Sequence, residues 1–242
     1  MNLVRTIAAF AFTVFAVFAF MLVSFPAFVL GFLGLKKPMS RVIDKTARAW
    51  AKIVIALTGC SLEVQGQQHI PCGGGICFVS NHVGMFDIVL SLALIGRPFG
   101  FIAKKELSYI PLLNLWILIL GGLFIDRKNI RKAIGTINQG IKRLQKGENM
   151  LIFPEGTRSR GRGLLPFRSG AVKLATHSQA TIVPVAISGS YEVFEKNYRV
   201  NYAQVRVVFC PPIHTAEMKA DERRHSLADR VRDVIEAALN NP

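Results

Sequence analysis

The chain predicts an α/β fold: a central, mostly parallel or mixed β-sheet flanked by helices, preceded by an N-terminal membrane-associated helical segment. Three observations carry that expectation. Residues 6–35 form an uncharged apolar block. From about residue 61, short runs rich in Ile, Val, Phe and Leu alternate with stretches of helical periodicity. Several of those runs lack apolar–polar alternation, as strands buried on both faces do.

The N-terminal block is longer than the about 20 apolar residues a bilayer span requires. It continues into Lys36, Lys37 and Arg41 without a small-residue cleavage site, so it reads as an anchor and not as a cleaved signal peptide. Pro26 divides it, which leaves a kinked span and a one-leaflet hairpin both open. The cations beyond it put the remainder of the chain on the cytoplasmic side of the membrane. Residues 40–58 form a helix in which Arg41, Asp44, Lys45, Arg48 and Lys52 alternate with Ile43, Ala47, Trp50 and Val54. Such a helix lies on an anionic bilayer surface or packs on the following domain. The chain divides into N-terminal membrane-anchoring helices over 1–58 and a main domain over 59–242.

Within that domain the apolar runs place strands at 61–65, 76–80, 99–103, 122–125, 150–153, 182–188 and 204–210. A short helix follows from Asp87 to Ile95. Ile130, Ile134, Ile137, Ile141 and Leu144 recur at helical spacing and Gly147 stands at the stop position, giving a helix over 128–146. Leu227, Val231, Val234, Ile235 and Leu239 repeat the pattern over 221–239.

Thirty Lys and Arg against fifteen Asp and Glu leave a formal charge of +15, which indicates anionic partners. A hydrophobic content of 51% favours lipid over nucleic acid as that partner. The basic cluster at 158–173 also lacks the interleaved aromatics of single-strand binders, Phe167 aside, so no nucleic-acid partner is expected. Cys60, Cys72, Cys77 and Cys210 fit no zinc spacing, and ordinary packing is the expectation for each.

Four polar segments directly follow strand candidates: Asn81-His82, Lys104-Lys105, Asp126-Arg127 and Pro154-Glu155-Gly156. Ligands of open α/β sheets bind outside the carboxyl ends of strands, so parallel strands would bring these segments to one edge. Imidazole titrates near neutrality and takes a proton from a hydroxyl; a carboxylate partner fixes its tautomer. His82 precedes Asp87 by five residues, an offset that works if His82 lies on a turn and Asp87 inside the helix after it. Taken alone, the pair reads first as a strand-to-helix turn capped by Asn81 or Asp87, ahead of a catalytic dyad. Between Gly156 and Tyr191 the chain has no acidic residue, yet carries Arg158, Arg160, Arg162, Arg168 and Lys173. Arginine forks grip phosphate oxygens and Gly156 lets backbone N–H groups approach an anion, although a solvated basic loop has the same composition. Glu155 beside that cluster either pairs with an arginine and holds it, or accepts a hydrogen bond from a substrate hydroxyl.

In order along the chain, Asn81-His82 with Asp87, Gly122-Leu123-Phe124-Ile125-Asp126-Arg127, Phe153-Pro154-Glu155-Gly156-Thr157-Arg158-Ser159 and Ile182-Val183-Pro184-Val185-Ala186-Ile187 resemble the four blocks of the glycerolipid acyltransferases. The resemblance covers roughly residues 60–215, which makes 59–242 a catalytic domain. It implies that His82 is the general base on a lysophosphatidic acid hydroxyl and that Asp87 orients it. The hydroxyl oxygen then attacks the thioester of acyl-CoA or acyl carrier protein without a covalent acyl-enzyme. It further implies that Arg127, Glu155, Gly156, Thr157 and Arg158 hold the glycerol phosphate. Lys104 and Lys105, placed directly after a strand, either help at the phosphate or the oxyanion or are simply solvated; the block around Pro184 lines a pocket or is structural. No metal or cofactor is implied. Anionic membrane lipids would be partners, and the setting would be the cell inner membrane with the catalytic domain on its cytoplasmic side. One departure stands out: relatives often carry serine where this chain has Gly84.

Overall fold

The computed structural model describes residues 36–218 and 227–241, with Val4, residues 6–8 and Ala11 near the start. Most of the apolar block at 6–35, and the start of the helix expected at 221–239, lie outside the described residues. Among the described residues no helix is long and apolar enough to cross a membrane. Thr6 Oγ1 accepts a hydrogen bond from Val200 N at 3.0 Å.

The strands are β1 (Ser61–Gln65), β2 (Ile76–Ser80), β3 (Gly100–Lys104), β4 (Leu123–Ile125), β5 (Met150–Ile152), β6 (Thr181–Ser188), β7 (Gln204–Phe209) and β8 (Ile213–His214). They form one sheet in the order β1-β7-β6-β2-β5-β3-β4, with β8 beside β6. From β6 through β2, β5 and β3 to β4 every pairing is parallel. β7 runs antiparallel to β6 and parallel to β1, so the sheet is mostly parallel but mixed.

Helices cover both faces. α1 (Lys36–Thr58), α2 (Phe86–Leu94) and α3 (Leu113–Ile119) lie on one side. Their Ala51, Leu90 and Ile117 pack with Phe78, Phe101, Val183 and Phe209 of the sheet. α4 (Ile130–Gln145), α5 (Ser169–Ser178) and α6 (Leu227–Asn240) lie on the other, where Leu144, Leu174, Val231 and Ile235 meet Cys77, Val79, Ile152 and Ile182. Successive strand residues thus serve opposite layers, Cys77 and Val79 one, Phe78 the other. Each fully buried Leu or Ile contributes about 2 kcal/mol of hydrophobic stabilisation, so both layers matter.

Of the two readings of the basic helix, packing is the one observed: Ile43, Ala47, Ala51 and Val54 are buried, and Trp50 meets Trp116 edge to face at 5.4 Å. Its opposite side leaves Val42 and Ile53 exposed. α4 begins where Asn129 Oδ1 caps Lys132 N at 3.0 Å. Its apolar stripe is covered only at the far end: Ile130 is 77% exposed while Leu144 is 3% exposed. α3 and α5 carry no legible period. The run Leu113-Asn114-Leu115-Trp116-Ile117-Leu118-Ile119 is apolar nearly all round, and α5 mixes small and polar residues. The cysteines are all free thiols. Cys72 is exposed, which corrects the packing expectation for it; Cys77 and Cys210 are buried and burial pushes both thiols up, Cys210 to about 11.

Candidate active site

Because β2, β3, β4 and β5 run parallel, Asn81-His82, Lys104-Lys105, Asp126-Arg127 and Pro154-Glu155-Gly156 leave the sheet on one edge. The β2 exit is locked in place. Asn81 Nδ2 donates to Ile187 O and Ile187 N donates to Asn81 Oδ1, both at 2.8 Å, so the buried asparagine extends the β2–β6 ladder one step past Ser80–Val185.

His82 then stands on the turn and Asp87 in the first turn of α2. His82 Nδ1 lies 2.6 Å from Asp87 Oδ2, and the same oxygen accepts the N–H groups of Val83 at 2.7 Å and Gly84 at 3.0 Å. Asp87 is wholly buried. The turn and the dyad are therefore one structure: the carboxylate that ties the N–H groups of the turn before α2 also holds the imidazole. With Nδ1 donating to Asp87, the free lone pair is on Nε2. The ring is stacked on Phe153, centroids 4.1 Å apart, which fixes its plane.

The arginine-rich turn meets this dyad directly. His82 N donates to Glu155 Oε1 at 2.6 Å, and Leu165 N donates to Glu155 Oε2 at 3.1 Å. The reading of Glu155 as an arginine partner is thus corrected. Its carboxylate is buried, and backbone N–H groups occupy both oxygens. Burial pushes its carboxyl above the usual carboxylate range, against the lowering effect of those two N–H groups. Ser159 N donates to His82 O at 2.7 Å and Arg160 N to Val83 O at 3.0 Å, so the turn grips the histidine's backbone from both sides.

Gly156 is the pivot of the cationic part. Its φ of +70° is a left-handed conformation that favours glycine, and a Cβ there would lie 2.7 Å from Arg168 Nε. Its carbonyl accepts from Arg127 Nη1. Arg127 and Arg168 are thus brought together around one glycine. Burial, and then the Arg168 charge, hold the Arg127 guanidinium below its ordinary range. Two crowded cations gain from an anion between them. Arg168 was legible only as one arginine among several; its place at the Gly156 turn is set by Arg168 N donating to Pro154 O at 2.9 Å.

Arg158 turns to Glu195, with Nη1 2.6 Å from Oε1, and the other oxygen of Glu195 accepts from Met85 N. Thr157 is exposed on the same turn. The two lysines diverge: Lys105 Nζ binds Asp126 Oδ2 at 2.9 Å, while Lys104 Nζ faces Glu106 Oε1 at 3.3 Å on the rim. Hydrogen bonds therefore join His82, Asp87, Glu155, Gly156 and Arg127 into one cluster; Arg158 borders it through Glu195, and Lys104 stands outside that network. Sequence reasoning missed Glu195 and also Ser190, whose Oγ donates to Asp87 Oδ1 at 2.5 Å. Ser190 was within reach of the strand-end rule, because Gly189-Ser190 directly follows β6. Among the described residues no group of three or more His, Cys, Asp or Glu could hold a metal ion.

The fold is shared with the crystal structure of the 1-acyl-sn-glycerophosphate (LPA) acyltransferase PlsC from Thermotoga maritima, at a TM-score of 0.79 and 24% identity over 99% of this chain and 96% of that one. A 1-acyl-sn-glycerol-3-phosphate acyltransferase of Escherichia coli is 34% identical over 184 residues, 76% of this chain and 74% of the relative. A protein of the same description from Borreliella burgdorferi is 29% identical over 188 residues, 78% of this chain and 75% of the relative. The Acyltransferase family profile matches residues 61–188, which run from β1 through the dyad and the arginine-bearing turn to the end of β6. By that match and those relatives, the chain belongs to the acyltransferase family.

Proposed function

We propose that this enzyme transfers a fatty acyl group to the sn-2 hydroxyl of 1-acyl-sn-glycerol 3-phosphate, giving phosphatidic acid, with acyl-CoA or acyl carrier protein as donor. The observation that carries the reading is the His82–Asp87 contact at 2.6 Å, which leaves Nε2 as a base one short turn from a paired-arginine cradle. His82 Nε2 takes the hydroxyl proton as the hydroxyl oxygen bonds to the thioester carbonyl carbon. The tetrahedral intermediate collapses with cleavage of the carbon–sulfur bond, and the thiolate leaves with the proton from His82. Asp87 stabilises the imidazolium between those steps. General base catalysis of this kind is worth about 10²–10⁴-fold, and fixed positioning adds to it. Arg127 and Arg168 at Gly156 hold the acceptor phosphate, with Arg158 and Thr157 at the border. Glu155 serves by fixing the backbone of the base. The names of the relatives support the acceptor assigned here.

The setting we propose is an anionic bilayer surface, the cytoplasmic face of the inner membrane. Met85, Tyr109, Ile110, Leu112 and Ile130 are exposed apolar residues. Met85, Tyr109, Ile110 and Leu112 follow the carboxyl ends of β2 and β3 and Ile130 opens α4 after β4, on the edge that carries His82; Lys104, Lys128 and Arg131 stand close to them in sequence. Apolar side chains on an edge that also carries cations suit an anionic lipid surface.

The test is acyl transfer to lysophosphatidic acid by wild type and His82→Ala, with acyl-CoA and acyl carrier protein donors in separate arms. The reading expects turnover by wild type and near-complete loss in the variant, which still sediments with anionic vesicles. Wild type that ignores lysophosphatidic acid while acylating glycerol 3-phosphate or another lysophospholipid would overturn the acceptor.

A further inference from the structure

The geometry points to Ser190 as a positioning residue of the acyl transfer, a hydroxyl that fixes the carboxylate plane of Asp87 and through it the aim of His82. The inference rests on the role of the His82–Asp87 pair proposed above.

The two oxygens of Asp87 are loaded unequally. Oδ2 takes three donors: His82 Nδ1 and the N–H groups of Val83 and Gly84. Oδ1 takes Ser190 Oγ at 2.5 Å. The carboxylate plane turns about the Cβ–Cγ bond, and that turn moves both oxygens. The bond to Oδ1 opposes it from the side away from the three donors, a second anchor for the plane. Asp87 is completely buried and Ser190 is 1% exposed, so no solvent molecule replaces the hydroxyl from outside. A buried carboxylate oxygen without a donor is costly, and a carboxylate that swings to find one carries the imidazole with it.

The placement of Ser190 is built into the fold. The β2–β6 register pairs Ser80 with Val185, and Asn81 clamps Ile187 one step further on. Gly189 then turns the chain at φ +77°, where a Cβ would fall 1.9 Å from Gln204 O. That turn delivers Ser190 to Asp87 from 103 residues away in sequence. Its hydrogen bond goes to the carboxylate and not to the imidazole, so the nucleophile–base contact of a serine acyl-enzyme is not the one made here. Ser190 supports the base and does not accept the acyl group.

The experiment measures kcat and both KM values for acyl transfer to lysophosphatidic acid in wild type, Ser190→Ala and Ser190→Thr, with the thermal midpoint of each. We expect Ser190→Ala to lower kcat about tenfold, the rate equivalent of one hydrogen bond felt in the transition state. Its KM values stay within about twofold and Ser190→Thr regains most of the rate, a split that loss of one site contact, and not general loosening, produces. Should the alanine variant be unstable, Ser190→Cys keeps the bulk with a weaker donor and is judged by the same split. Wild-type kcat in Ser190→Ala, or a loss confined to KM, overturns the inference. Failure of wild type to acylate lysophosphatidic acid would instead count against the proposed function.

Discussion

The backbone N–H of His82 donates to Glu155 Oε1 at 2.6 Å across 73 residues of sequence. Ser159 N answers with a bond to His82 O at 2.7 Å. The turn that carries Gly156 and gathers Arg127 and Arg168 is therefore the same turn that clamps the histidine. The proposed base and the arginine pair, tied through these two bonds, keep a fixed separation, and fixed geometry of this kind makes a bimolecular transfer behave as an intramolecular one.

Asp87→Asn isolates charge from geometry. The asparagine oxygen takes the place of Oδ2 and the Ser190 hydroxyl turns to accept from the amide nitrogen, so the fold is kept. We expect kcat to fall about a thousandfold, since a neutral partner no longer stabilises the imidazolium. The thermal midpoint stays close to wild type. Single-turnover acyl transfer alongside a melting curve checks both.

Gly156→Ala strains the cradle. Alanine at φ +70° costs about 1–2 kcal/mol, and its Cβ at 2.7 Å from Arg168 Nε pushes that guanidinium away. The expected outcome is a raised KM for lysophosphatidic acid exceeding any loss in kcat. Arg127→Ala raises the same KM without the folding cost.

Glu155 sets a pH dependence. Its folded carboxyl titrates above the ordinary value, so the folded state binds the proton more tightly than the unfolded state does. Stability from this group is fully present below the unfolded pKa and declines as pH rises from there to the folded pKa. Thermal midpoints of wild type minus Glu155→Gln across that range should fall with rising pH and flatten above it. Glu155→Ala leaves His82 N and Leu165 N without acceptors and costs about 2 kcal/mol at neutral pH.

Gly84→Ser probes how tightly the turn between His82 and Asp87 is packed. A Cβ at residue 84 would lie 2.9 Å from Glu195 Oε2 and 3.1 Å from Tyr191 Cα. Overpacking of about 1–2 kcal/mol is expected, with Glu195 driven from Met85 N and Arg158. Glu195→Ala in the same chain should recover part of the loss, because it clears one of the two obstacles. A double-mutant cycle on stability reads that coupling directly.

Much of this molecule is legible along the chain. The strands at 61–65, 76–80 and 150–152 follow from short apolar runs, and α4 from five apolar residues at helical spacing with a Gly stop, while its Asn129 cap is seen only in the fold. The shared edge follows from polar residues placed just after strands. The strands of one parallel sheet obey a single rule, so local sequence suffices. α3 escaped because it is apolar without period. The arginine-partner reading of Glu155 failed because a carboxylate among arginines looks like an ion pair until its burial and two N–H donors are seen.

The order of elements, the placing of His82 just ahead of Asp87 and the clustering of arginines belong to the chain alone, since periodicity and residue chemistry are local properties. Which partner each polar group takes belongs to the folded state. Asp87 receives Ser190, Glu155 receives His82 N, and Arg158 turns to Glu195 because burial leaves each polar atom only the partner that sheet register brings within reach. Register is a long-range property, and no stretch of sequence states it.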